Sequence, residues 1–312
     1  MTVWHAIFQP GFFSNPAVQT AAVVGVVVAC VCAPVGVFTV VRGQSFAGHA
    51  FADITSTGGS AAVVTGVNPL VGFAAMGLLG AGAMELTGAQ RHRGRDLATG
   101  IVLGASLGLS ALFLYLSVTG GSTSGAVVSV LFGSIFAVST GTVPLVVGLG
   151  AVALALVGLV YRPLLLSSVS PDLAAAQGVR LRPVGFAYMA ALALSVALCA
   201  LTIGAILSTA LLIGPAATAL RLARSPRGAM ACAAALSTAA TWAGIVLAYD
   251  SYTWPPAHNG WPVSFFVVVL VLAGYLLAQL RGRPERRPAG TPAAALAIEL
   301  DRPGSAVAAG RR

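Results

Sequence analysis

PAVQTAAVVGVVVACVCAPVGVFTVVRGQSFAGHAFADI, residues 16–54, decides what kind of chain this is. Through Val41 the stretch holds no charged residue, and about 20 apolar residues in a helix suffice to cross a hydrocarbon core of about 30 Å. Arg42 closes the run and a second, more polar run begins at once. It carries His49 and Asp53, four residues apart and therefore on one helix face. A membrane span with two ionisable groups has either to pair them with each other or to let them line a hydrated path, since an isolated charge in hydrocarbon is costly.

The rest of the chain extends this reading. With 57% hydrophobic and 8% charged residues over 312, and a mean hydropathy of +0.91, there is too little polar surface to clothe a soluble globule. The expected fold is all-α, a polytopic transmembrane helical bundle of about eight to ten spans. Cutting at arginines and at Pro/Gly/Asn turns gives runs at roughly 16–41, 46–66, 69–89, 97–118, 141–161, 183–203, 204–222, 228–249 and 262–280. The break at LTIG, residues 201–204, is the weakest of these cuts, and LFGSIF at 131–136 reads as a short re-entrant or interfacial helix.

The 17 basic residues are all arginine. They gather at Arg42, at Arg91, Arg93 and Arg95, at Arg162 with Arg180 and Arg182, at Arg221, Arg224 and Arg227, and from Arg281 onward. Successive clusters are separated by an even number of runs, so all fall on one side, which the positive-inside rule makes cytoplasmic. Residues 1–15 are then extracytoplasmic, 16–282 form the transmembrane domain, and the Pro- and Arg-rich residues 283–312 form a disordered cytoplasmic tail. The N-terminus has neither a basic region nor a small-residue cleavage pattern, so no removed signal peptide is expected. Arginines scattered between apolar runs set topology and do not make a nucleic-acid surface. Cys30, Cys32, Cys199 and Cys232 all lie inside apolar runs and read as small buried hydrophobes.

Outside the tail the acidic residues are Asp53, Glu85, Asp96, Asp172 and Asp250. Asp96 suits the start of a helix and Asp250 a solvated outer turn. Glu85 lies about one turn inside the inner end of its span, where it either snorkels toward Arg91 or joins a polar path. His49 and Asp53 are either a self-neutralising pair between helices or ligands along a path, and imidazole with carboxylate suits zinc or manganese better than copper(I). His5, His92 and His258 stand alone in surface contexts. There is no G-x-x-x-x-G-K-[ST] or H-E-x-x-H, and the one G-x-S-x-G match, GASLG at 104–108, lies inside an apolar run rather than at the strand-to-helix turn that a nucleophilic serine needs. The chain therefore shows neither a phosphate cradle nor hydrolase chemistry, and uphill transport would draw on a partner.

Three blocks in order carry a resemblance: RGQSFAGHAFADI at 42–54, SPDLAAAQGVRLRP at 170–183 and IGAILSTALLIGPAATALRLARS at 203–225, with LFGSIFAVS at 131–139 as a further match. Together they are similar to the membrane permease subunits of bacterial ABC importers for zinc and manganese. The resemblance implies a non-enzymatic, multi-pass permease of the bacterial inner membrane, working as a homodimer. Separate ABC ATP-binding subunits and an extracytoplasmic metal-binding protein would be its partners, and a divalent metal its cargo, with no stably bound cofactor. It implies further that His49, Asp53 and Glu85 lie along the metal path, with His49 and Asp53 as transient ligands. It makes residues 170–178 (Ser170, Pro171, Asp172, Ala175, Gly178) the helix on which the ATPase docks; on the residues alone the same stretch is a short interfacial helix. Where the family reads Gly-Asp-x-x-x-His, this chain reads Gly48-His49-x-x-x-Asp53. The swap keeps both ligand types on one face but moves each about 6 Å along the axis. Other readings of the same architecture are a permease for a chelated metal or siderophore, and an ion-coupled secondary transporter with the pair as a proton relay.

Overall fold

The computed structural model describes residues 12–86, 95–120, 125–253 and 260–281, and among them the regular structure is helical throughout. The N-terminal stretch with His5, the Arg91/Arg93 loop with His92, His258 and the tail from 282 lie outside the described residues. The helices are α1 Pro16–Val41, α2 Ser45–Thr65, α3 Pro69–Leu86, α4 Arg95–Thr119, α5 Gly125–Phe132, α6 Val143–Leu159, α7 Tyr161–Val169, α8 Pro171–Ala176, α9 Leu181–Ile203, α10 Ser208–Leu222, α11 Pro226–Asp250 and α12 Val263–Arg281. α1, α4, α6, α9, α11 and α12 hold the 6 segments long and apolar enough to span a bilayer. α3 and α10 are apolar but shorter, and α2 is long but more polar, being rich in Gly, Ser and Thr.

Four helices start on the same device, an Asn or Ser followed by Pro. Asn15 Oδ1 accepts from Ala17 N–H at 3.0 Å, Asn68 Oδ1 from Leu70 N–H at 3.0 Å, Ser170 Oγ from Leu173 N–H at 3.3 Å and Ser225 Oγ from Gly228 N–H at 3.1 Å. The cap satisfies an orphan N–H, and the proline at the first helical position lacks one in any case.

Side-chain contacts sort the chain's turns into two ends. At one, Arg42 meets Ser167, Arg227 lies over the Tyr161 ring and Arg221 over the Tyr275 ring. At the other, Asn68 Nδ2 donates to Thr142 Oγ1 at 3.3 Å and Phe12 packs edge-on against Tyr249. α2 and α4 run parallel, since Thr57 bonds to the Ser106 carbonyl and Ser60 to Ser110. Arg95 therefore joins the arginine-rich end.

α9 is the centre of the bundle, with every residue from 188 to 200 buried. α4, α6 and α12 form much of the outside and expose Leu107, Leu112, Tyr115, Leu159, Leu277 and Leu280, a surface suited to acyl chains rather than water. Lipid tails provide no hydrophobic drive for helices to associate, so close backbone approach has to hold them. It occurs where α2 crosses α3, since a Cβ on Gly58 would strike the Gly72 carbonyl and a Cβ on Gly72 the Gly58 carbonyl.

The break near LTIG is real: α9 stops at Ile203, Gly204 takes φ 95, and α10 starts at Ser208. The stretch at 131–136, expected as a short helix, is instead the break at which a helix ends. α5 ends at Phe132, Gly133 takes φ 73, and a 3-10 turn at Ile135–Ala137 leads back. The two breaks hold each other, with Ala205 N–H donating to Val130 O at 3.1 Å and Ile206 N–H to Leu131 O at 3.3 Å. The cysteines divide differently from expectation. Cys32 and Cys199 are buried with their Sγ atoms 2.9 Å apart, whereas Cys30 is exposed and Cys232 half-buried. The apolar run is the same all round, so it did not indicate which side of α1 faces outward.

Candidate functional site

His49 lies about 6 Å and Asp53 about 12 Å along the axis of α2 from its arginine-rich end, at 1.5 Å per residue. Between residues 47 and 62, the only positions of α2 that are not buried are His49, Asp53 and Ala61. α3, α4 and α9 enclose the helix and leave one window, and the two ionisable side chains occupy it. His49 Nε2 stands 4.0 Å from Asp53 Oδ2, with side chains 53% and 16% exposed. The distance is at the outer limit of an ion pair, and most of the imidazole remains open to whatever faces the window.

Above the window the same face of α2 continues as Ser56, Thr57 and Ser60, now covered by α4. Thr57 Oγ1 donates to Ser106 O at 2.8 Å, Ser60 Oγ and Ser110 Oγ lie 2.9 Å apart, and Ser56 Oγ donates to Ser110 Oγ at 3.3 Å. The single Ser56 O–H proton is shared between that contact and the shorter one to the Asp53 carbonyl at 2.8 Å. These hydroxyls fix the rotation of α2 about its axis, and so the direction in which His49 and Asp53 point. Sequence reasoning missed them. Ser56 and Ser60 on α2, and Ser106 and Ser110 on α4, each repeat at i and i+4, and those spacings were the available signal.

Among the described residues there is no cluster of three or more His, Cys, Asp or Glu. Within the described residues of one protomer the window thus holds two candidate side-chain ligands, His49 and Asp53, too few to retain zinc or manganese as a resident group. The Glu85 side chain lies outside the described residues; its backbone is in the last turn of α3.

At the arginine-rich end, α8 is a short helix with a defined start and stop. Ser170 caps it, Pro171 takes the first position and Asp172 stands in the first turn, where a carboxylate meets the positive end of the helix dipole. Gly178 ends it at φ 79. Ala174, on its inner side, is fully buried. The exposed face is made by Pro171, Asp172, Leu173, Ala175, Ala176 and Gln177.

Residues 14–277 match the ABC 3 transport family. The chain belongs to the ABC 3 transport family. That match takes in α1 through nearly all of α12, and so both the window on α2 and the capped helix α8. This ABC 3 transport family chain is similar to the manganese import system permease protein ScaB of Streptococcus parasanguinis, with 30% identity over 232 residues, 74% of this chain and 81% of the relative. It is similar to the high-affinity zinc uptake system membrane protein ZnuB of Haemophilus influenzae at 30% over 239 residues, 75% of this chain and 90% of the relative. Among solved structures, PsaBC from Streptococcus pneumoniae in complex with Fab superposes with a TM-score of 0.74 at 25% identity, covering 89% of this chain and 95% of that one. Like other ABC 3 transport family chains, this is a multi-pass protein of the bacterial inner membrane.

Proposed function

We propose that this chain is the membrane permease subunit of an ATP-driven ABC importer for a divalent transition metal, manganese or zinc. Its relatives are named as permeases of manganese and zinc uptake systems. The chain is a transport subunit, and ATP is hydrolysed by separate ATP-binding subunits that dock on α8 at the arginine-rich, cytoplasmic end. An extracytoplasmic metal-binding protein delivers the ion to the other end.

The observation that carries the reading is the window on α2. A helix buried from residue 47 to 60 except at two positions opens to the outside of the protomer at those two, an imidazole and a carboxylate. Two copies of the chain facing each other across a twofold axis would present two such pairs, a four-ligand N/O set of the kind borderline divalent metals accept. Each pair alone binds weakly enough to release, as transport requires. The pair acts by contact with the passing ion, with no chemistry performed on it; Glu85 is proposed as a further group on the metal path.

The test is uptake of radioactive manganese and zinc by vesicles holding the permease with its ATP-binding subunits and binding protein. His49→Ala and Asp53→Ala should each lower uptake at least about tenfold, the scale of losing one ligand's support, while the folded dimer persists in detergent. Near-normal uptake by the double alanine variant would return His49 and Asp53 to a structural pair. In the same vesicles Ala175→Trp and Gly178→Trp should abolish uptake and its ATP dependence while the protein still inserts. Full coupling in those variants would remove the docking role from α8.

A further inference from the structure

The turn between α1 and α2 is fixed at every residue. Arg42 N–H donates to Phe38 O at 2.9 Å, Gly43 N–H to Val40 O at 3.0 Å, Gln44 N–H to Thr39 O at 2.9 Å and Gly48 N–H to Gln44 O at 3.1 Å. Gly43 takes φ 63, a conformation that a residue without Cβ adopts freely. The reversal from α1 into α2 therefore has no slack, and whatever moves Arg42 moves the start of α2.

The Arg42 side chain grips two other elements. Its Nη1 donates to Ser167 Oγ on α7 at 3.1 Å, and its guanidinium lies over the Tyr188 ring on α9, 5.2 Å from the centroid. Both contacts are themselves anchored. Ser167 Oγ donates to Leu164 O at 3.0 Å, and Tyr188 is fully buried with its hydroxyl 2.9 Å from Thr39 Oγ1. Ser167 stands three residues before Ser170, the cap of α8. One arginine thus joins the segment leading into α8 to the first turn of the helix that carries His49 and Asp53. A planar guanidinium can lie flat on an aromatic ring while one N–H bonds in its plane, which an ammonium cannot reproduce.

We infer that Arg42 is a positioning residue for energy coupling, transmitting displacement of α7 and α8 through Ser167 to α2 and thereby to the His49/Asp53 window. This rests on the docking and ion-contact roles proposed above. The arginine does more than mark the cytoplasmic side: it makes the α8 segment and α2 move as one unit against the Tyr188 ring of the central helix.

The test uses the full importer in proteoliposomes and reads metal taken up per ATP hydrolysed, along with the stimulation of hydrolysis by metal-loaded binding protein. Arg42→Ala should lower that ratio about tenfold, a typical size for coupling between sites, with basal ATP hydrolysis kept. Arg42→Lys, which retains the charge without the planar contact, should restore only part of it. Ser167→Ala should lower the ratio alone but add nothing in the Arg42→Ala background, as expected for two groups acting through one contact. A purely structural role would lower yield and leave the ratio as it was, and an unchanged ratio in Arg42→Ala overturns the inference. Ala175→Trp measured alongside separates the two readings. If it uncouples and Arg42→Ala does not, α8 docks the ATPase and Arg42 is not the link. If Arg42→Ala uncouples and Ala175→Trp does not, the link stands and the ATPase docks elsewhere.

Discussion

Replacing Gly58 with alanine tests whether the α2–α3 crossing holds the window in place. A Cβ at this position would stand 2.5 Å from the Met76 Cβ and 2.8 Å from the Gly72 carbonyl carbon, and nearer still to the carbonyl oxygen. Carbon atoms pack at about 3.5 Å, so the helices must part by about 1 Å. The obstacle is mainly backbone, which no change of rotamer can relieve. Overpacking of this kind costs about 1–3 kcal/mol, and the upper end applies here. Alanine recovers about 1 kcal/mol in helix propensity, leaving a net loss of about 2 kcal/mol. Gly82, also on α3, is the matched control, because a Cβ there meets nothing within 4 Å. Thermal unfolding of the purified permease in detergent should show Gly58→Ala below the parent and Gly82→Ala at or above it. Metal uptake should fall in Gly58→Ala below the parent temperature of unfolding, since α2 carries His49 and Asp53. Equal midpoints for the two variants would refute the reasoning, and with it the idea that this crossing sets the position of α2.

The exchange of His49→Asp with Asp53→His restores the family's order of ligands and keeps both on one face; it should retain more uptake than either single change, and equal or lower uptake would show that depth matters more than inventory. Gly204→Ala meets both a positive φ and the facing backbone of residues 131–133. It should cost about 3 kcal/mol and yield little folded protein by size-exclusion chromatography, whereas a normal yield would contradict the interlocked breaks. Arg93→Cys in a cysteine-free background should resist an impermeant thiol reagent added from outside intact cells, and efficient labelling would invert the topology.

Helix positions were legible because a bilayer makes them a one-dimensional problem of run length and punctuation. The run from 16 to 41 became α1 with the same bounds, and LTIG marked the end of α9. The window was only half legible. Spacing put His49 and Asp53 on one face, but which faces of α2 are covered depends on α3, α4 and α9, which are distant in sequence. For the same reason the burial of Ala174, in a helix of 6 residues, was not legible. Arg42 was read for its charge, and its grip on Tyr188 and Ser167 required residues more than a hundred positions away to be brought beside it. The Asn-Pro and Ser-Pro helix starts were open to inspection, as each is a local signal.

The interlocked breaks at Gly133 and Gly204 bear on how the chain is made. α5 has 8 residues, about 12 Å of helix, too short to cross the membrane unaided. Among the described residues, the Val130 and Leu131 carbonyls accept from the Ala205 and Ile206 N–H groups. A nascent chain that has not yet reached Ile206 leaves those acceptors open, and hydrocarbon cannot satisfy them. The pairing of α5 with the end of α9 therefore completes only when residues 204–206 have been made, which joins two parts of the permease distant in sequence into one folding unit.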